Sequence, residues 1–535
     1  MSKWRGNPWA VLLTLSLGFF MTLLDLTIVN MAIPNMIDQL HASLDEILWV
    51  VNAYLLVLAV LLITAGRLGD LRGQRTIFIF GVATFTVASL LCGLSQNPVE
   101  LIAARAVQGL GAAMLIPQTM ALIIATFPAD RRGAALGVWG AIAGVATIAG
   151  PTAGGLLVTS FNWRWIFFVN LPVGVIVLIA AFVLIPPVKL ERRHRLDVTG
   201  VLIVTAMLFC FSFGLTEGQR YDWNGWIIAL IGASAVFLVV FLLQQRSRQD
   251  REPLMPFVLF RDRNYTILNF IAAAVSVGMI GMFLPLTIYM QSVLGYSALK
   301  AGLVMAPMSV IAMFIAPVAG QLSDRIGGKY ILMAGLTLYA TGMAWIVVIA
   351  QPTTGWPAFI PPTIVAGIGV GGVFAPMATE AMRGIDPRMA GAASGVYNTV
   401  RQIGSVVGSA AMGAILQHQL ATSLRHEATV RAAGLPAQAR EPFVAGFRHA
   451  STGGMEFGGG QSASQHVPSG LSSEVAAQVS RAGKAVFDYG FVSAMKPTMA
   501  LPVVIALVGA LLCFVMRRHV NASQPQPSEP VEAAA

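Results

Sequence analysis

The chain of 535 residues is 56% hydrophobic and only 11% charged, with a mean hydropathy of +0.73. Soluble domains carry roughly a quarter charged residues, so this composition excludes a soluble globular protein and defines a polytopic membrane protein. The net charge of +10 does not point to nucleic acid, because the basic residues sit in short loops between apolar runs, as membrane topology requires.

The first apolar run follows Lys3 and Arg5 as a signal peptide would, but it continues past Asn30, carries Asp25 in its middle and lacks a small-residue cleavage site. It is therefore expected to remain as the first span. Runs of about 20 apolar residues without strand alternation predict helices rather than barrel strands. Fourteen spans are expected, near 9–32, 47–65, 76–95, 100–126, 134–158, 164–186, 198–216, 226–245, 266–291, 300–320, 330–350, 357–381, 391–417 and 498–516. Loops on the terminal side hold Arg67, Arg72, Arg75, Arg131, Arg132, Lys189, Arg246, Arg248, Arg325, Arg383, Arg388 and others, whereas the short loops opposite hold only Arg164, Arg220 and Lys300. Both termini are expected to be cytoplasmic. Cys92, Cys210 and Cys513 fall inside apolar runs without ligand partners and read as small core hydrophobes.

Two short stretches recur. Gly66-Arg-Leu-Gly-Asp-Leu-Arg-Gly-Gln-Arg75, which reads as a polar hinge between spans, returns 254 positions later as Gly320-Gln-Leu-Ser-Asp-Arg-Ile-Gly-Gly-Lys329. Arg132-Gly-Ala-Ala-Leu-Gly137 returns 258 positions later as Ala390-Gly-Ala-Ala-Ser-Gly395. A repeated hinge implies a repeated bundle. The spacing exceeds that of a bare six-span repeat, so two extra spans are expected between the halves. The plan is then 1–187 as a first six-helix bundle, 188–264 as two extra spans with basic linkers, and 265–417 with 498–517 as a second six-helix bundle. Residues 418–497 form a long extracytoplasmic loop and 518–535 a disordered cytoplasmic tail. The Gly- and Ser-rich loop cannot build a core of its own and is expected to be a mobile cap, with 473–495 as an alternative surface helix or hairpin.

Asp25 at bilayer depth is the first candidate for chemistry, since an ionised carboxylate there is costly and can take up or release a proton. Arg105, which lies with Gln108 in span four, is its expected neighbour: an Arg stays charged and can lower the acid's pKa in one conformation and release it in another. Span five carries Gly150, Pro151, Gly154 and Gly155, which allow close helix approach and a kink. In the hinge, Asp70 can cap a helix N-terminus or pair with Arg67 or Arg75, and so lock two bundles in one state. Gly66, Arg72, Gly73 and Arg75, with Asp324 in the repeat, complete that set. Asp70→Asn is expected to slow transport and Asp324→Asn to do so less, its basic partners being fewer. Glu380 reads as an interfacial ion pair with Arg383 or Arg388. No phosphate-binding Gly-x-x-x-x-Gly-Lys-Ser/Thr loop, metal cluster or nucleophile constellation occurs, so an enzyme or nucleotide-driven pump is not expected and the energy source must be a gradient.

These residues resemble the fourteen-span drug:proton antiporter branch of the major facilitator superfamily, the EmrB/QacA type. Gly66 to Arg75 is similar to its loop signature, Leu24 to Pro34 to its first-span signature, Arg105 to Gly111 to its proton-transfer signature and Gly150 to Gly155 to its antiporter signature. Asn162 to Gly174 is a further stretch typical of the branch. The resemblance implies an all-α fold of two six-helix bundles plus two central spans in a bacterial plasma membrane, with alternating access around a central cavity. It implies proton-driven export without a cofactor, with Asp25 and Arg105 as the coupling pair and span five as the gate. With one clearly deep acid, neutral or weakly charged amphipathic substrates are expected. Asn30, Tyr54, Gln108, Trp139, Phe283, Tyr289, Tyr397, Asn398 and Arg401 are cavity candidates. A monomer embedded in lipid is expected. A symporter on the same fold, or a non-transporting sensor or assembly subunit, are the alternatives.

Overall fold

The computed structural model describes residues 6–42, 44–128, 131–186, 197–218, 221, 223–249, 253–449 and 473–517. The expected tail, 518–535, lies outside them, as does most of the linker at 187–196. Every expected span coincides with a helix. In the first half these are α1 (Pro8–Leu40), α2 (Leu44–Arg72), α3 (Gln74–Leu94), α4 (Pro98–Thr126), α5 (Arg132–Ser160), and the pair α6 (Trp165–Phe168) and α7 (Asn170–Leu184), which together fill the sixth position. The intervening pair is α8 (Val198–Glu217) and α9 (Gly225–Ser247). The second half comprises α10 (Arg263–Ile288), α11 (Ala298–Ile326), α12 (Gly328–Ile349), α13 (Ile360–Met382), α14 (Ala390–Ala432), α15 (Ala437–His449) and α16 (Ser473–Leu512). Eleven of the described helices are long and apolar enough to cross a membrane.

Local chemistry sets these ends. Asn7, Asn97, Asp197, Asn224, Asp262 and Ser297 each accept a hydrogen bond from the first turn of the helix they precede. The hinge is not a loop. α2 runs on to Arg72, only Gly73 breaks the helix, and α3 starts at Gln74. Gly327 does the same between α11 and α12. Their φ angles of 96° and 89° are ones a side chain would strain, so each helix can end and the next begin within one residue.

The expected mobile cap is corrected where the chain is described, and the alternative of a helix at 473–495 is the one seen. α14 is 43 residues long and α16 is 40, about 65 and 60 Å at 1.5 Å per residue, against a hydrocarbon core of about 30 Å. Leu416, Leu420, Leu424 and Ala428 recur every fourth residue on α14 and are buried with Val479, Val486 and Phe491 of α16 and Phe443 of α15. The apolar spacing therefore carries the bundle core outward as a helical hairpin, and the Gly-rich tract at 450–472 lies outside the described residues. Of the cysteines, Cys92 and Cys513 are buried as expected, while Cys210 is half-buried.

Candidate functional site

Asp25 is wholly buried and meets Arg105, equally buried, at 2.5 Å. Four further elements close around the pair. Gln108 of α4 donates to Asp25 Oδ1 at 3.0 Å and accepts from Arg105 Nη1 at 2.7 Å, and Arg105 Nε donates to the Val50 carbonyl of α2 at 3.0 Å. Asn170, the first residue of α7, donates to Asp25 at 3.5 Å and to Ser89 of α3 at 3.1 Å. The guanidinium lies 4.4 Å from the Tyr54 ring centre and 5.8 Å from that of Phe167. One charge of each sign, hydrogen-bonded on every side, is what a low-dielectric interior tolerates. Such a cluster is neutral while Asp25 is ionised, and protonating Asp25 would leave a net positive charge.

Asn170, Ser89 and Val50 were missed from the sequence. Asn170 could have been found as the amide inside the apolar stretch Asn162 to Gly174. The Val50 contact, made by a backbone carbonyl, has no sequence signal. Tyr54 and Gln108, expected in a cavity, belong to this cluster instead, because Gly109 lets α4 press on the backbone of Tyr54.

The repeated stretches meet crosswise. Asp70 of α2 accepts from the backbone N–H groups of Gly391 and Ala392 at 2.8 and 2.7 Å, capping α14 in the other half. Asp324 of α11 accepts from Gly133 and Ala134 at 2.9 and 3.0 Å, capping α5 in the first half. Neither Met389 nor Arg131, the residues at the two cap positions, makes a side-chain cap of its own. Gly66 and Gly391 abut, as do Gly133 and Gly320, so closely that an added methyl group would collide with the opposing backbone.

Of the basic residues of the hinge, Arg67 makes the expected pair with Asp70, at 3.9 Å. Arg75 does not pair with Asp70 but donates to the Phe182 carbonyl at 2.9 Å, at the C-terminus of α7. Its counterpart Lys329 donates to the carbonyls of Phe514 and Met516 at the end of α16, both at 2.9 Å. Each thus fastens the last helix of its own bundle, where a cation suits the helix dipole. Arg72 is exposed and forms no hydrogen bond or ion pair with a described residue. Glu380 pairs with Arg383 at 3.2 Å, as expected, and accepts from the Gly328 N–H of α12 at 2.7 Å.

In α5, Gly150 and Gly154 admit Thr27 and Ile28 of α1, whereas a side chain at Gly155 would meet nothing within 4 Å. The helix continues unbroken through Pro151. Among the cavity candidates, Trp139 stacks on Phe19 at 4.2 Å and donates to Thr119 at 3.2 Å. Tyr289 is not in a central cavity: its hydroxyl donates to the Gln351 carbonyl at 2.7 Å, and it packs with the core that continues into the hairpin. Tyr397 and Asn398 are buried on α14, with Arg401 one turn further on. The side chains of Asn30 and Phe283 lie outside the described set.

A bundle of apolar helices in two halves that cap each other crosswise, with an ion pair sealed inside one half, defines a polytopic membrane transporter. The chain belongs to the Major Facilitator Superfamily, whose model matches residues 15–409. It is 42% identical over 453 residues to an uncharacterised transporter of that type from Mycobacterium tuberculosis, covering 83% of this chain and 78% of the relative. It is 33% identical over 418 residues to the tetracenomycin C resistance and export protein of Streptomyces glaucescens (77% and 76% covered). It is 34% identical over 420 residues to the multidrug resistance protein Stp of M. tuberculosis (77% and 76%). Among solved structures, the human organic anion transporter MFSD10 matches with a TM-score of 0.56 at 12% identity, covering 94% of this chain and 99% of that one. The resemblance to the drug:proton antiporter branch thus holds, and the protein is a multi-pass plasma-membrane transporter.

Proposed function

We propose that the protein exports hydrophobic or amphipathic small molecules in exchange for protons, by alternating access of its two bundles around a central passage. The sealed Asp25–Arg105 cluster carries this reading. Ionised, Asp25 neutralises Arg105; protonated, it frees a positive charge inside the first bundle, and that change of electrostatics can bias which end of the passage is open. The crossed caps of Asp70 and Asp324 are the natural latch of the conformation closed at that end, which the distribution of basic loops makes the cytoplasmic one. The names of the relatives, which include resistance and export proteins, support a drug-like cargo. Energy would come from the proton gradient without a cofactor, and the chain would act as a monomer in lipid rather than as an enzyme.

Reconstitution into proteoliposomes with an imposed pH gradient tests the reading. Efflux of an amphipathic dye that follows the gradient and collapses with a protonophore is expected. Gradient-driven uptake in the same direction as the protons would replace antiport by symport.

A further inference from the structure

Arg401 is a second intramembrane arginine, and no described residue neutralises it. It lies on α14, eleven residues past the capped end at Ala390, or about 17 Å at 1.5 Å per residue, near the midplane of a hydrocarbon core of about 30 Å. It shares a helix face with Ser394, which sits seven residues earlier and donates to the Pro117 carbonyl of α4 in the other bundle at 3.0 Å. Its guanidinium lies 5.2 Å from the ring centre of Phe374 and 5.9 Å from that of Tyr397. Phe374 in turn faces α5, since a side chain added at Gly140 would approach its Cβ at 3.9 Å. Arg401 therefore stands where the two bundles face one another.

Its Nε is buried without a hydrogen-bond partner, and the side chain makes no ion pair with any described residue. Among the described residues the buried or half-buried acids of the spans are engaged elsewhere: Asp25 by Arg105, Asp70 and Asp324 by helix N-termini, Asp197 by Arg248 and its own helix, Glu217 by Asn52, and Glu380 by Arg383. Arg401 is half-buried, and two aromatic faces compensate a partly desolvated cation only in part, whereas a carboxylate supplies the missing charge and matches the donor fork. We propose that Arg401, flanked by Tyr397 and Phe374, is an anion-recognising half-site that selects aromatic cargo bearing a carboxylate or similar negative group. The inference rests on the export reading and sharpens its cargo from weakly charged amphiphiles to acidic ones.

Binding separates it from transport. Full-length protein in nanodiscs of zwitterionic lipid is titrated by calorimetry with 2-naphthoate, 2-naphthamide and 2-naphthyltrimethylammonium. The wild type is expected to bind the carboxylate about tenfold more tightly than the amide, the effect of one charge-assisted contact, and the ammonium most weakly. Arg401→Gln should bring the carboxylate-to-amide ratio near one with amide affinity unchanged, and Arg401→Lys should retain part of it. An unaltered ratio in Arg401→Gln, a wild-type preference for the ammonium or amide, or no binding of any probe would overturn the proposal. Should Arg401→Gln misfold, the wild-type order and the Arg401→Lys ratio decide. Proton-driven efflux in liposomes is scored separately: its absence with the carboxylate preference intact would refute export and leave the half-site standing.

Discussion

Replacing Asp25 by Asn would leave Arg105 buried beside Gln108 and Asn170 without its counter-charge. Breaking one side of such a pair costs about 3 kcal/mol, so Asp25→Asn should lower thermal stability and also abolish efflux that follows a pH gradient. Calorimetry of the purified protein and dye efflux from proteoliposomes check the two effects; gradient-driven efflux at the wild-type rate would remove Asp25 from coupling. Arg105→Lys should not be tolerated either. A single ammonium cannot reproduce the fork that reaches Asp25, Gln108 and the Val50 carbonyl together, so the variant should match the transport loss of Asp25→Asn.

Between elements, the geometry revises the expected ranking of the two capping acids, Asp70 and Asp324. Asp70 and Asp324 each accept two backbone N–H bonds from the first turn of an opposing helix. Those bonds, not the number of nearby basic residues, set their effect. Asp70→Asn and Asp324→Asn should therefore slow transport to a similar extent, within about threefold, given helix-end contributions of about 1 kcal/mol each. Initial efflux rates decide, and a much milder Asp324 variant would restore weight to the surrounding cations. Arg75→Gln and Lys329→Gln should act differently, speeding amide hydrogen exchange at the ends of α7 and α16 respectively. Each fastens its own bundle and not the latch.

For the whole molecule, the hairpin formed by α14, α15 and α16 beyond the bilayer shares a core with the second bundle. Leu424 is buried there, 3% exposed. Leu424→Ala should cost about 2–4 kcal/mol, seen as a lower unfolding midpoint, with the first bundle's ion pair undisturbed. An unchanged midpoint would mean that the hairpin folds independently of the membrane core.

How far the residues could be read alone follows from the range of the forces involved. Apolar run length, basic loop asymmetry and the doubled Gly66–Arg75 and Arg132–Gly137 stretches determined the helical membrane class, the two related halves and the pairing of Asp25 with Arg105. Each depends on local composition or on a charge that must find a partner in a low dielectric. Only the tertiary structure decided that the two kinds of repeat meet each other, that Arg75 turns away from Asp70, and that Tyr289 belongs to the core. The same holds for the engagement of Asp25, Asp70, Asp324 and Glu380, none of which pairs with Arg401. These contacts join residues up to 322 positions apart, several through backbone N–H and carbonyl groups that every residue carries. Side-chain identity therefore holds no mark of them until the helices are packed.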